Sequence, residues 1–263
     1  MVAQGNDLRH RAIALCRSGM PNAEVARRLG VPPGTVGYWL HVDRSRRGEC
    51  PGRRPPPSCP RCDDTPLDEV AYAYLLGLYL GDGHIVQHSR HRVPSLMITC
   101  SEKWTGLIDE AERAMRAVFP QNRTCRVRKT GALNVKVYSK HLWCLFPQHG
   151  EGRKHERHIA LEPWQQAIVD RYPWGFIRGL IHSDGCRITN WTTRIVAGER
   201  KRYEYPRYFF TNKSDDIRRL LTDTLDKVGV EWRVTRRGND PYNISVARRE
   251  AVALMDRFIG PKH

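Results

Sequence analysis

Two Asp-Gly pairs, Asp82-Gly83 and Asp184-Gly185, close short runs of small and apolar residues, LLGLYLGDG and IRGLIHSDG. A carboxylate at the C-terminal end of a helix faces the negative pole of the macrodipole, which is unfavourable. Two such ends side by side add carboxylate–carboxylate repulsion. A divalent cation between them would relieve both costs. A matched pair points to such a site more strongly than either Asp alone. The glycines that follow are expected at the left-handed position that ends a helix.

A second chemistry lies in the cysteines. Of the eight, Cys50, Cys59 and Cys62 fall together, the last two as Cys-Pro-Arg-Cys. With no export signal in view the thiols are expected to be reduced. A Cys-x2-Cys knuckle then reads as a zinc half-site, with Cys50 as third ligand and His41 as the nearest candidate for the fourth. The other five cysteines are expected to pack as small hydrophobes.

The elements that must position Asp82 and Asp184 are two helices. Ala73, Gly77 and Gly81 recur at i, i+4 and i+8, and so do Gly175, Gly179 and Ser183. Such a stripe lies on one helix face and lets two backbones approach closely. The two helices are therefore expected to cross at the centre of a domain, with Arg178 facing outward. Each is followed by strands, an amphipathic helix, a strand pair and a closing helix, so the pattern occurs twice, 102 residues apart. In the strands, Arg126 and Arg128 alternate with Cys125 and Val127. Asn134, Lys136 and Tyr138 alternate with Val135 and Val137, and Arg233, Thr235 and Arg237 with Trp232 and Val234. Period-two alternation predicts one apolar face for helices and one basic face for phosphates and base edges.

The duplicated motif resembles those of the LAGLIDADG homing endonucleases in their two-motif, monomeric form. The resemblance covers roughly residues 67–263. It implies an α+β fold of two pseudo-symmetric αββαββα repeats, about 67–150 and 170–263, forming a saddle over double-stranded DNA. It also implies Mg2+ or Mn2+ held by Asp82 and Asp184, the final acids of the two motifs, and phosphodiester hydrolysis. The sixth motif position departs from the name pattern, with Leu80 and His182 where that pattern has Asp. A basic group could assist the reaction; Lys136 is the candidate, with Lys213 behind it.

Residues 1–42 read as three short helices: Leu8–Arg17, Ala23–Leu29 after an Asn22 cap, and one from Pro33 to Leu40. AEVARRLGVPPGTVGYWL resembles a helix-turn-helix of the transposase and resolvase type, whose second helix would present Thr35, Gly37 and Tyr38 to a major groove. Residues 43–66 form a Pro- and Arg-rich linker; its proline density predicts no helix.

The net charge of +16 fits a polyanionic partner. No apolar run approaches the roughly 20 residues of a membrane span. Together these observations predict a cytoplasmic, monomeric DNA-binding protein that acts as a site-specific, metal-dependent double-strand endonuclease. The alternative is a DNA-binding transcriptional regulator whose LAGLIDADG core no longer cleaves.

Overall fold

The computed structural model describes residues 2–49, 58–87, 92–237, 240–260 and 262. They fall into two compact units, Met1–Pro56 and Pro57–His263.

The first unit holds α1 (Val2–Arg17), α2 (Asn22–Leu29) and α3 (Pro33–Arg46). Ala12, Val25, Ala26 and Val36 form its buried centre, with Leu29, Trp39 and Leu40 packed against it. The Arg17 guanidinium donates to both carboxylate oxygens of Asp43 at 2.8 and 2.9 Å, tying α1 to α3. Gly30 ends α2 in the left-handed region, φ +64°. Two expectations shift. Pro21, not Asn22, occupies the N-cap of α2. The third helix runs through Arg46, into the stretch read as linker. The prolines that would break it begin only at Pro51, so nothing in 41–46 opposes the helix.

The second unit is built twice over. One half runs α4 (Glu69–Leu80), β1 (Gly83–Val86), β2 (Ser95–Ser101), α5 (Thr105–Val118), β3 (Thr124–Lys129), β4 (Ala132–Tyr138) and α6 (Leu142–Leu145). A connecting helix, α7 (Pro163–Arg171), leads to the other half. That half runs α8 (Pro173–Asp184), β5 (Gly185–Val196), β6 (Glu199–Thr211), α9 (Asp215–Lys227), β7 (Arg233–Arg237), β8 (Asp240–Val246) and α10 (Arg249–Phe258). Each half is αββαββα, and its antiparallel sheet has the same order, β1-β2-β4-β3 and β5-β6-β8-β7. Among the described residues no helix is long and apolar enough to cross a membrane.

Helix α4 is buried from Tyr72 to Leu80. A helix apolar on all sides must lie inside, and α8 lies against it. At the contact, Gly175 faces Ala73, Gly179 faces Gly77, and Ser183 faces Gly81. The partners keep a constant offset of 102 residues, so the two helices run parallel. A Cβ on Gly77 would stand 2.5 Å from the Phe176 carbonyl oxygen, and one on Gly179 would stand 2.2 Å from that of Tyr74. The expected crossing is therefore present, and at its centre only glycine fits.

Candidate active site at the paired helix ends

Parallel packing brings the two C-terminal ends together. Asp184 is the last residue of α8, and Asp82 lies two residues beyond the end of α4. Asp184 leans over Gly81: a Cβ there would be 3.1 Å from its Oδ2. Asp184 Oδ2 also accepts a hydrogen bond from Asn212 Nδ2 at 2.6 Å. Asp82 is exposed as a residue, while its carboxyl packs in among the charged groups at the helix ends. Burial, then the charge of Asp184, push the Asp82 carboxyl up to about 6, against the pull of Lys262 and Lys154. Burial also raises Asp184, with the Asn212 bond and the two lysines opposing.

Neither Gly83 nor Gly185 has a positive φ, contrary to the expectation of left-handed caps. Gly185 is extended, φ −103°, ψ 171°. The reason for glycine is space. A Cβ at Gly83 would meet the Tyr79 Cα at 2.5 Å, and one at Gly185 the Ile181 Cα at 2.7 Å. Each strand leaves its helix by folding tightly against the preceding turn.

Two lysines occupy the helix ends. Lys154 Nζ donates to the carbonyls of Leu80 at 3.0 Å and Gly81 at 2.8 Å, and to that of Tyr79. These are groups that α4 cannot pair within itself. Lys262 Nζ donates to the Ser183 carbonyl at 2.9 Å, at the end of α8. Burial draws the Lys154 ammonium down to about 8, against the attraction of Asp184 and Asp82. Lys262 is lowered by burial in the same way. Sequence reasoning missed both. Each follows the closing helix of its half, but at a different distance, so the 102-residue repeat does not align them. Of the lysines it named, Lys213 lines an open cleft of about 350 Å³ together with Lys154, Asp184 and Asn212. Lys136 lies on β4 opposite Met97 and Cys125, beside His84.

The strand faces divide differently from the expectation. Val135 and Val137 are fully buried against the helices, and their cross-strand partners are Arg126 and Thr124. Directly opposed residues share a face. Arg126 is thus on the helix side, with Arg128 two residues on. There Arg126 bonds Asp109 at 2.6 Å and Glu112 at 2.7 Å, both on α5. The other face carries Asn134, Lys136 and Tyr138, with Val127 exposed beside them; Asn134, expected to contact DNA, is itself fully buried. Period two fixes the alternation but not which set faces the helices. An edge strand can keep Arg on the helix side when acids on the helix meet it.

In the second half Arg233 and Thr235 lie opposite Ser245 and Asn243, on the face away from the buried Ile244 and Val246, as expected. The ladder is irregular between Thr235 and Arg237, and the side chain of Arg237 is outside the described residues. The open faces carry a matched pair: Thr99 Oγ1 donates to Asn134 Oδ1 at 2.9 Å, and Thr211 Oγ1 to Asn243 Oδ1 at 2.6 Å.

Arg178 does not face outward freely. Its guanidinium bonds Glu110 Oε1 at 2.6 Å and lies over the Tyr74 ring. His182 is buried beside them, 3.0 Å from the Tyr74 hydroxyl, and burial pushes its imidazole down to about 4. In the first unit, Tyr38 is 66% exposed on α3 and Thr35 is half-buried.

The expected knuckle also changes. Cys50 lies outside the described residues, and His41 is on α3 of the first unit. Cys59 and Cys62 instead meet His141 and Cys144, all four ligand atoms lying within 4.8 Å of one another.

A family model described as a homeodomain-like domain matches residues 6–48. Solved structures similar to the chain include the homing endonuclease I-DmoI in complex with DNA and Mn, 16% identical over 74% of this chain and 98% of that one, TM-score 0.48. The homing endonuclease I-WcaI bound to its DNA recognition sequence is 13% identical over 74% and 82%, TM-score 0.46. The N-terminal LAGLIDADG domain of DUF199/WhiA is 12% identical over 75% and 87%, TM-score 0.45. No curated protein sequence matches.

Proposed function

We propose that the chain is a site-specific, metal-dependent DNA endonuclease with Asp82 and Asp184 at its catalytic centre. The observation that carries this reading is the convergence of the two carboxylates at parallel helix ends, with Asp82 pushed up to about 6 by burial and by Asp184. A protein gains nothing in stability from that arrangement; it gains a place for a cation. The donors are hard carboxylate oxygens, which suit Mg2+ or Mn2+. When bound, such an ion would lower the pKa of water and neutralise charge growing on the scissile phosphate.

The protein's own groups do the rest. Asn212 fixes the orientation of Asp184 through its 2.6 Å bond. Lys154 and Lys262 satisfy the helix ends and put positive charge behind both carboxylates. They act as positioning residues, and a phosphate entering the cleft of Lys154 and Lys213 would meet two cations. On the open sheet faces, Lys136, Arg233 and the Thr211–Asn243 pair offer donors and acceptors to base edges. In the first unit, Tyr38 and Thr35 lie on α3, the helix that would enter a major groove. Arg126, bonded to Asp109 and Glu112, serves the α5 side of its sheet.

The test is incubation of the full chain with a randomised DNA library and Mg2+ or Mn2+, followed by sequencing of new ends. Asp82→Asn should bind the selected sequence and no longer cut it. Cutting unchanged by that substitution removes Asp82 from the mechanism. Tight binding of one sequence with no cutting by the wild type establishes the regulator instead.

A further inference from the structure

The four-residue cluster of Cys59, Cys62, His141 and Cys144 lies outside the proposed nuclease centre and does not depend on it. Its geometry is that of a tetrahedral metal site. Cys62 Sγ is 3.5 Å from Cys144 Sγ and 3.6 Å from His141 Nδ1, and Cys144 Sγ is 4.0 Å from the same nitrogen. Zinc–sulfur bonds of about 2.3 Å and zinc–nitrogen bonds of about 2.0 Å, set tetrahedrally, put sulfurs about 3.8 Å apart and sulfur about 3.6 Å from nitrogen. The sulfurs are too far apart for a disulfide, whose bond is about 2.0 Å.

The backbone around the cysteines is shaped for the same purpose. The amides of Cys62 and Asp63 donate to the Cys59 carbonyl at 3.1 and 2.8 Å, and the Cys59 amide donates to Asp63 Oδ2 at 2.8 Å. This turn brings both sulfurs to one side. The amides of Arg61 and Cys62 also point at the Cys59 sulfur. From the other side, the Ser139 hydroxyl holds the His141 amide at 3.1 Å, and α6 carries Cys144 to the same point.

We infer that Cys59, Cys62, His141 and Cys144 bind one structural zinc ion. Three thiolates and one imidazole form a soft, closed ligand set that suits zinc over magnesium or calcium. The thiols bind as thiolates and release their protons to solvent. The ion would join two segments far apart in sequence: the start of the second unit and the end of its first αββαββα half. Other contacts support that junction. Ser58 and Gln121 exchange two hydrogen bonds of 3.0 Å, and the Arg61 guanidinium lies 4.7 Å over the Trp164 ring. The zinc would thus fix the chain onto the core right where it enters the second unit.

Elemental analysis of full-length protein purified without chelator should give about one zinc per chain. X-ray absorption should report three sulfurs and one nitrogen around it. Cys144→Ser and His141→Ala lie outside the Cys-x2-Cys knuckle, and each should lose most of the zinc on dialysis against a competing chelator. Cys50→Ser should keep it. Cys144→His should retain one zinc with two sulfurs, a readout that survives if the serine variant does not fold. Folded wild type without zinc, a Cys62–Cys144 disulfide in the intact mass, or zinc lost with Cys50→Ser but kept in Cys144→Ser would overturn the assignment.

Discussion

Adding one methyl group at Gly179 tests the central claim about the fold. The Cβ of Gly179→Ala would stand 2.2 Å from the Tyr74 carbonyl oxygen and 2.9 Å from both the Gly77 Cα and the Leu78 nitrogen. All three are backbone atoms of the facing helix, so no side chain can swing aside. Restoring ordinary contact, 3.4 Å or more, requires the two backbones to part by about 1 Å. Overpacking of this kind costs about 1–3 kcal/mol, and a rigid backbone neighbour places this case at the upper end. Alanine recovers up to about 1 kcal/mol in helix propensity. The net loss is about 2 kcal/mol, which lowers Tm by about 4–8 °C in a domain of this size.

Gly175→Ala is the control on the same stripe. Its Cβ would meet the Ala73 Cβ at 3.5 Å and the Val70 carbonyl oxygen at 3.6 Å, both ordinary contacts. That variant should melt at or slightly above wild type. Thermal and urea unfolding of both variants decide the matter. If Gly179→Ala melts with wild type, or Gly175→Ala falls as far, the close parallel crossing is wrong. The convergence of Asp82 and Asp184 would then lose its basis.

Other expectations follow from the same site. A carboxyl held at about 6 in the fold, against about 3.9 unfolded, favours the fold fully below pH 4 and loses that contribution as pH rises through 6. Asp82→Asn should therefore flatten wild-type stability between pH 4 and 6, and Mg2+ should stabilise wild type above pH 6 but not the variant, both read by urea titration. Lys154→Met strips the donor from the α4 carbonyls and should cost about 1–3 kcal/mol in urea unfolding. Arg233→Ala should weaken DNA binding and lower the salt slope by about 1, whereas Arg126→Ala should spare the affinity and reduce stability. Equal loss of affinity in both would show that the assigned sheet faces are wrong.

Much of this was legible in the sequence, and the reasons are specific. The 102-residue repeat, the small-residue stripes and the two terminal acids are local patterns read directly from spacing. Every long-range pairing that broke the repeat stayed hidden. The edge strand β3 carried two alternating sets, and only the register against Val135 and Val137 revealed which one met the helices. The zinc partners His141 and Cys144 lie some 80 residues from Cys62, where no linear motif connects them. Proximity in sequence pointed to Cys50, which lies outside the described residues, and to His41; the fold places His141 and Cys144 beside Cys59 and Cys62.

The lysines show the same limit and explain something more. Parallel packing of α4 and α8 aligns their dipoles, so two negative ends and two carboxylates meet at one place. Antiparallel packing would cancel the dipoles and is the cheaper choice. The observed arrangement persists because the fold brings in one ammonium for each end, Lys154 for α4 and Lys262 for α8. Each is held by backbone carbonyls and only attracted by the acids, so neither forms an ion pair that would quench Asp82 or Asp184. The helix ends are satisfied while the carboxylates keep their charge. A site meant only for stability would have joined lysine to aspartate; this one keeps them apart, leaving the negative charge available to a cation.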